Sequence, residues 1–355
     1  MVQLKGIGMS EQLGAETVDV DRLGNWLAAR FARSAPLAVE RMGIGVGVGN
    51  ALFDVRWGDD RYVLRRPPAV KVTASAGQTE REARVLAALA GTDVPHPRLV
   101  AWCDDPSVIG TSFLLMERVE GFTAVDPLPP ALVADAEGRR ALGVGIVDAL
   151  ARLALVDWKA AGLEGFGKPD GFLARQVDRW AWQLDSYRIR PIEHEIDVTA
   201  WLRAHLPPPG PVGIMHGDYS NFNVMYSHDV PPKLAAIVDW DTATIGEVLM
   251  DFGHLLSRWD EAGEEPTRLG VADIADRSGL TTRAEMTEWY ARHTGFDLSH
   301  IRYYEVLSLF KLGCILEGHY VNAHNAGAAD AEQLHEASAR SLFRDALRIA
   351  SGERA

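Results

Sequence analysis

From Val18 to Arg33 the apolar residues Val20, Leu23, Trp26, Leu27 and Phe31 recur at intervals of three and four, which predicts a helix with one buried face. Runs rich in Val, Ile and aromatic residues follow at 40–46, 51–57 and 61–65. The last two are joined by Gly58-Asp59-Asp60, a hairpin signal, so the stretch predicts a meander of strands. Helical spacing returns from Gln78 to Ala90, with Ala83, Val85, Leu86 and Leu89 on one face and Glu80, Arg81, Glu82 and Arg84 between them. Two more strands are predicted at 98–103 and 112–117. After Glu120-Gly121 and the Pro-rich Asp126-Pro-Leu-Pro-Pro130 the period changes. Helices are predicted at 138–156, 172–187, 250–259, 283–293, 302–320 and 331–349, with strands only at 211–215, 224–226 and 234–238. No internal repeat interrupts this order.

The pattern predicts an α+β protein of two lobes: a small antiparallel-sheet lobe with a leading helix at 1–117, and a large helical lobe at 118–355, with a ligand cleft between them. A length of 355 residues agrees, at about 150 residues per domain. Lys and Arg number 36 against 49 Asp and Glu, a formal charge of −13 that repels phosphate polymers, and no basic stripe stands out. Nucleic acid is therefore not an expected partner. No apolar run is long enough to span a bilayer, and the start, Met1 to Ser10, lacks the apolar core of a signal peptide. A cytoplasmic protein with no membrane partner is expected. The two cysteines, Cys103 and Cys314, are too few for a disulfide framework and are expected to be reduced and buried.

The most informative stretch is His216-Gly-Asp218-Tyr-Ser-Asn-Phe-Asn223, followed beyond the predicted strand pair by Ile237-Val-Asp239-Trp240-Asp241. Phosphoryl transfer needs one carboxylate to take or orient a hydroxyl proton, and two further oxygen ligands for the magnesium ions that neutralise the phosphate chain. A loop followed by a hairpin brings Asp218, Asn223 and Asp239 to one point. A lone D-x-x-x-x-N would be common in surface turns, but its pairing with a carboxylate after the hairpin is not explained that way.

On these residues the chain resembles the aminoglycoside phosphotransferase and choline kinase branch of the protein-kinase-like fold, in which H-R-D-x-x-x-x-N and D-F-G carry the same roles. The resemblance implies a two-lobed kinase-like fold, ATP and Mg2+ as cofactors, Asp218 as catalytic base, and Asn223 and Asp239 as metal ligands. It also implies that Asp251, in Gly246-Glu-Val-Leu-Met-Asp-Phe-Gly253, braces the catalytic loop, with His216 as a packing residue. In the front half, the loop Gly43-Ile-Gly45-Val-Gly47-Val-Gly49-Asn50 would cover the nucleotide phosphates. Arg65 stands where the wider fold has a phosphate-binding Lys and would pair with Glu82. Met116-Glu117-Arg-Val119-Glu-Gly121 resembles the hinge, where backbone groups around Glu117 and Val119 would bind the adenine.

The motifs Val63-Leu-Arg65, Val94-Pro-His-Pro-Arg98 and Arg175-Gln176 with Trp180 most resemble the kinase-like domain fused to some acyl-CoA dehydrogenases. Two departures are visible: Leu153 is followed by Ala154 where that branch has His, and Val248 replaces a Pro. The resemblance implies an enzyme that phosphorylates a hydroxyl of a small molecule, with a hydroxyacyl-CoA as one acceptor. An aminoglycoside or amino alcohol is the alternative, as is a non-catalytic nucleotide-binding pseudokinase. A protein acceptor is disfavoured, because the stretch from Asp239 to Asp251 is too short for an activation loop. A CoA ester would need cations such as Arg175, Arg179, Arg188 and Arg190, with Arg139 and Arg140 further candidates. A cationic aminoglycoside would need Glu193, Glu195 and Asp197, or Glu264 and Glu265. Gly162 to Lys168 matches G-x-x-x-x-G-K, but Pro169 replaces the hydroxyl residue of a P-loop, and the histidines show no zinc spacing.

Overall fold

The structure, a computed structural model, describes residues 18–42, 50–67, 78–125, 128–133, 135–264 and 277–353. The chain divides into two compact units, Met1–Ala87 with Pro97–Arg118, and Ala88–His96 with Val119–Ala355. The division is thus discontinuous: the stretch 88–96 goes with the second unit, where a single cut after 117 is expected from the sequence.

In the first unit α1 (Val20–Phe31) starts at Asp19, whose side chain accepts from the Arg22 N–H, and ends at Ala32 in the left-handed region. Strands β1 (Leu37–Arg41), β2 (Ala51–Trp57), β3 (Asp60–Arg66), β4 (Leu99–Cys103) and β5 (Phe113–Glu117) form a five-stranded sheet in the order β1-β2-β3-β5-β4, antiparallel throughout. Gly58 at φ +65° makes the tight turn between β2 and β3. Leu23 and Leu27 of α1 pack with Phe53, Val55, Trp57, Leu64 and Phe113 in one apolar core, so the leading helix covers one face of the sheet. Strand β1 begins earlier than the sequence predicts, its partner Trp57 fixing Leu37 as the first pair; the predicted continuation through Val46 falls outside the described residues. The helix α2 (Gln78–Leu89) follows, and α3 (Pro106–Ile109) adds one turn between β4 and β5.

The second unit is mainly helical: α4 (Pro130–Val133), α5 (Ala136–Ala154), α6 (Gln176–Tyr187), α7 (Glu195–Ala204), α8 (Leu249–Ser257), α9 (Arg283–Thr294), α10 (Ile301–Asn325) and α11 (Ala329–Ser351). Two small antiparallel pairs interrupt them, β6 (Val212–Met215) with β9 (Thr244–Glu247), and β7 (Val224–Tyr226) with β8 (Leu234–Ile237). The α7 helix has no sequence start signal, since His194 opens it in a left-handed conformation and supplies no capping hydrogen bond. Strand β9 is equally hidden: four residues, one of them Gly246, whose partner lies far back in the chain. The G-x-x-x-x-G-K match has a packing explanation, because a Cβ on Gly167 would lie 2.7 Å from the Ile245 backbone in β9. Cys103 and Cys314 are both buried free thiols. Among the described residues no helix is long and apolar enough to cross a membrane.

The long α10 runs against α11, α8 and α6. Its crossing with α8 is close at Gly253, where an added Cβ would sit 2.6 Å from the Tyr304 Cβ and 2.7 Å from its carbonyl carbon. Gly253→Ala is therefore expected to destabilise the protein by about 1–3 kcal/mol despite the better helix propensity of alanine. A Tm equal to or above that of the parent in thermal unfolding would contradict this packing argument.

Candidate active site

The loop between β6 and β7 carries His216, Asp218 and Asn223. Gly217 has φ +87°, and a Cβ there would lie 2.7 Å from the Thr242 carbonyl oxygen, so the turn requires glycine. Four of its backbone groups are satisfied by three side chains. Asp251 of α8, 2% exposed, accepts from the His216 N–H and, at 2.9 Å, from the Gly217 N–H. Thr242 donates its hydroxyl to the His216 carbonyl at 2.8 Å, and Lys311 of α10 donates to the Gly217 carbonyl at 2.7 Å. The His216 ring Nε2 lies 2.9 Å from the Val238 carbonyl, and its Nδ1 accepts from the Asp218 N–H at 3.3 Å, which sets the tautomer with the proton on Nε2. Tyr219 is fully buried and donates its hydroxyl to the Ile146 carbonyl of α5 at 2.7 Å.

Asp218 and Asn223 meet directly: the Asn223 amide nitrogen donates to the Asp218 carbonyl at 2.8 Å and to its Oδ2 at 3.0 Å. The hairpin brings the third residue to the same end. Val224 pairs with Ile237, the Val238 N–H donates to the Asn223 carbonyl at 2.9 Å, and Asp239 follows at once, in a left-handed conformation at φ +68°. A carboxylate held in this strained region is the kind of outlier that clusters at functional sites.

With its amide nitrogen committed to Asp218, Asn223 has its amide oxygen as acceptor, and Asp239 adds a carboxylate. Two hard-oxygen donors suit a magnesium ion, which takes its other ligands from phosphates and water. Among the described residues no group of three or more His, Cys, Asp and Glu side chains could hold a metal ion by themselves.

Three groups that sequence reasoning did not connect with the site also face Asp218. His254 Nε2 lies 3.1 Å from Asp218 Oδ1, Arg258 Nη1 lies 3.6 Å from the same oxygen, and Lys311 is the cation on Gly217. Burial alone would raise the Asp218 carboxyl, but the His254 hydrogen bond and the charges of Arg258 and Lys311 outweigh it and hold the group well below the usual carboxylate range. The signal was in the sequence: Asp251, His254 and Arg258 share one face of α8, spaced by three and four.

In the first unit, Arg65 and Glu82 do meet. Arg65 Nη1 donates to Glu82 Oε1 at 3.2 Å, with both side chains buried. With its amide turned so that oxygen faces the guanidinium, Asn50 accepts from Arg65 Nε at 3.0 Å and Nη2 at 2.7 Å. Glu117, exposed, pairs with Arg98 at 3.1 Å, and the chain passes from the first unit to the second between Arg118 and Val119. Gly45, Gly47 and Gly49 lie outside the described residues, as does Glu265.

Most of the arginines proposed for an anionic acceptor are already engaged within the fold, three by carboxylates and two by backbone carbonyls. Arg188 pairs with Asp185 and Glu195, Arg190 with Glu317 and Glu336, and Arg175 donates to the Lys168 and Asp170 carbonyls. Arg139 is buried on backbone carbonyls of Leu132, Val133 and Ser278, and Arg140 pairs with Glu285. Of the acidic set, Glu195 pairs with Arg188 and Glu264 with Arg283. Arg179 lies over Trp180, at 5.3 Å, and forms no ion pair among the described residues.

A kinase-like fold with a braced D-x-x-x-x-N loop and a following hairpin carboxylate defines a phosphotransferase. The model of the phosphotransferase enzyme family matches residues 40–289, and the chain belongs to that family. It is 28% identical over 313 residues to acyl-CoA dehydrogenase family member 10 of Mus musculus, covering 88% of this chain and 29% of that protein. The chain therefore spans under a third of that relative. A Ralstonia eutropha structure assigned as an aminoglycoside phosphotransferase is 29% identical, with a TM-score of 0.77 over 94% of this chain and 99% of the other. The GDP complex of aminoglycoside 2'-phosphotransferase-IIIa, at 17% identity, shares the fold with a TM-score of 0.61 over 93% and 99%.

The buried His254 gives a pH signature. Burial, with the nearby Arg258 charge, pushes its pKa from 6.5 down to about 4. The unfolded chain takes up this proton at a pH where the folded one does not. The contribution to stability is complete above 6.5 and is lost as pH falls toward about 4. The parent Tm is expected to fall across that window more steeply than that of His254→Gln; parallel curves would contradict it.

Proposed function

We propose that the chain transfers the γ-phosphate of ATP to a hydroxyl of a small anionic molecule, with a hydroxyacyl-CoA as the first candidate. The observation that carries the reading is the Asp218 carboxylate, half-exposed, with one oxygen on Asn223 and the other facing His254 and Arg258. In this reading Asp218 receives or orients the acceptor hydroxyl proton, and the bonds of Asp251 to the loop backbone keep it from drifting. Asn223 and Asp239 would hold magnesium, which when bound neutralises charge on the phosphates. Arg65, fixed by Glu82 and Asn50, would grip a phosphate, and Gly45, Gly47 and Gly49 would offer backbone N–H groups to the phosphates. Glu117 and Val119 would offer backbone groups to the adenine.

The choice of an anionic acceptor is supported by charge. The cations acting on Asp218 are Arg258 and Lys311, which Asp218 itself and Asp251 offset, and Arg179, which forms no ion pair among the described residues, acts on Lys311 from nearby. Of these cations Arg179 is the one that would favour an anion over a cationic aminoglycoside. Arg188 and Arg190, the pair first considered for the CoA phosphates, do not support it, since both are held by carboxylates within the fold.

Two measurements test the reading. Asp218→Ala should lower turnover by about two to four decades while Mg-ATP binding survives, whereas Asp239→Ala should weaken Mg-ATP binding itself. Equal loss of nucleotide affinity in both would count against these roles. In an ADP-release screen, hydroxyacyl-CoA esters should be consumed, with activity falling as salt screens the charges over about 10 Å at 0.1 M. Phosphorylation of kanamycin-like amines, with every hydroxyacyl-CoA ignored, would overturn the acceptor class and leave the phosphotransfer roles standing.

A further inference from the structure

The half-exposed Asp218 carboxylate would by itself turn freely, because the terminal torsion of an aspartate has no sharp wells. Two side chains stop it. Asn223 holds Oδ2, and His254 Nε2 approaches Oδ1 at 3.1 Å. His254 is 3% exposed on α8, and its other nitrogen, Nδ1, lies 2.7 Å from the hydroxyl of Ser308 on α10, itself 1% exposed. Ser257 closes the group, donating to the His254 carbonyl at 3.0 Å and reaching Ser308 at 3.4 Å. Both nitrogens of the buried imidazole are thus partnered, as burial requires, and one of the two partners is the carboxylate that the loop presents.

The protonation pattern follows from the partners. Nε2 has two claimants, the Asp218 carboxylate, which can only accept, and the Arg258 guanidinium, which can only donate; with the carboxylate taken as the partner, the proton sits on Nε2 and Nδ1 accepts from the Ser308 hydroxyl. Arg258 Nη1 lies 3.0 Å from Nε2 but 3.6 Å from Asp218 Oδ1, so it adds charge without orienting the oxygen as a hydrogen bond does. Lys311 faces the same loop from α10 through the Gly217 carbonyl.

We propose that His254 is a positioning residue for Asp218: its Nε2–H fixes Oδ1, Ser308 fixes the imidazole, and the carboxylate is thereby presented to the acceptor in one orientation. The inference rests on Asp218 acting on the acceptor hydroxyl. Nothing is transferred to His254; its proton stays on Nε2 throughout.

The test uses the full chain and the hydrolysis of Mg-ATP, in which water stands in for the acceptor hydroxyl, for the parent, His254→Leu, His254→Gln, Ser308→Ala and Asp218→Ala. His254→Leu is expected to lower kcat about ten- to a hundred-fold with the KM for Mg-ATP unchanged. His254→Gln, which keeps an N–H donor at about the same reach, should recover most of that loss, and Ser308→Ala should cost a few-fold. Turnover in His254→Leu equal to the parent, or in His254→Gln as low as in His254→Leu, overturns the proposal. Nitrogen-15 NMR of labelled histidine provides a readout independent of turnover: the parent should show His254 with its proton on Nε2, hydrogen-bonded, and that bonded signal should be lost in Asp218→Ala. A proton found on Nδ1 alone overturns the proposal. Full activity in Asp218→Ala would instead remove the role of Asp218, whereas an inactive Asp218→Ala beside unimpaired His254 variants removes only the inference about His254.

Discussion

The His216 and Gly217 N–H groups are buried in a turn that neither helix nor sheet can satisfy, and Asp251 accepts from both. Unpaired, each would cost about 1–3 kcal/mol. The position of Asp218 depends on this brace, because Asp218 directly follows the two residues it holds. Burial raises the Asp251 pKa even so, and the bonds from the loop, with the charge of Lys311, act against that rise. Helix α8 thus does two things through one face: Asp251 fixes the loop backbone, and His254 and Arg258, one and two turns on, reach the carboxylate that the loop presents.

Arg258, Lys311 and His254 make Asp218 a strong acid and therefore a weak base. For the proposed transfer this is no contradiction. In a loose transition state little proton transfer is needed before the phosphoryl group moves, and orientation of the hydroxyl outweighs basicity. In a chain of net charge −13, Arg258 and Lys311 are gathered beside Asp218 and Asp251, a local pairing that overall composition does not reveal.

Away from the site, the conspicuous charges serve the fold. Arg190 is the clearest case: it lies over the Tyr320 ring at 4.2 Å and ties the segment after α6 to α10 and α11 through Glu317 and Glu336. Arg283 does similar work between α9 and Glu264. Arginines suit such partly buried pairs because the planar guanidinium can satisfy several acceptors at once. Their abundance in the segment before the catalytic loop therefore says little about the ligand.

The sequence by itself determined most of the order of elements, the family, the contact of Asp218 with Asn223 and the arrival of Asp239 at the same end, because each depends on short-range spacing: a helical period, a hairpin, a loop of fixed length. It also identified Arg65 with Glu82, and Asp251 with the loop, through positions carried over from a known pattern. What it could not decide were pairings between elements far apart in the chain. Strand β9 exists only against β6, α7 begins without a cap, and Lys311 comes to the loop, and Ser308 to His254, only when α8 and α10 cross at Gly253. Whether Arg188 and Arg190 were available to a ligand was equally undecidable, since a charge shows its sign in sequence, whereas its partner is chosen by packing over distances that no local period records.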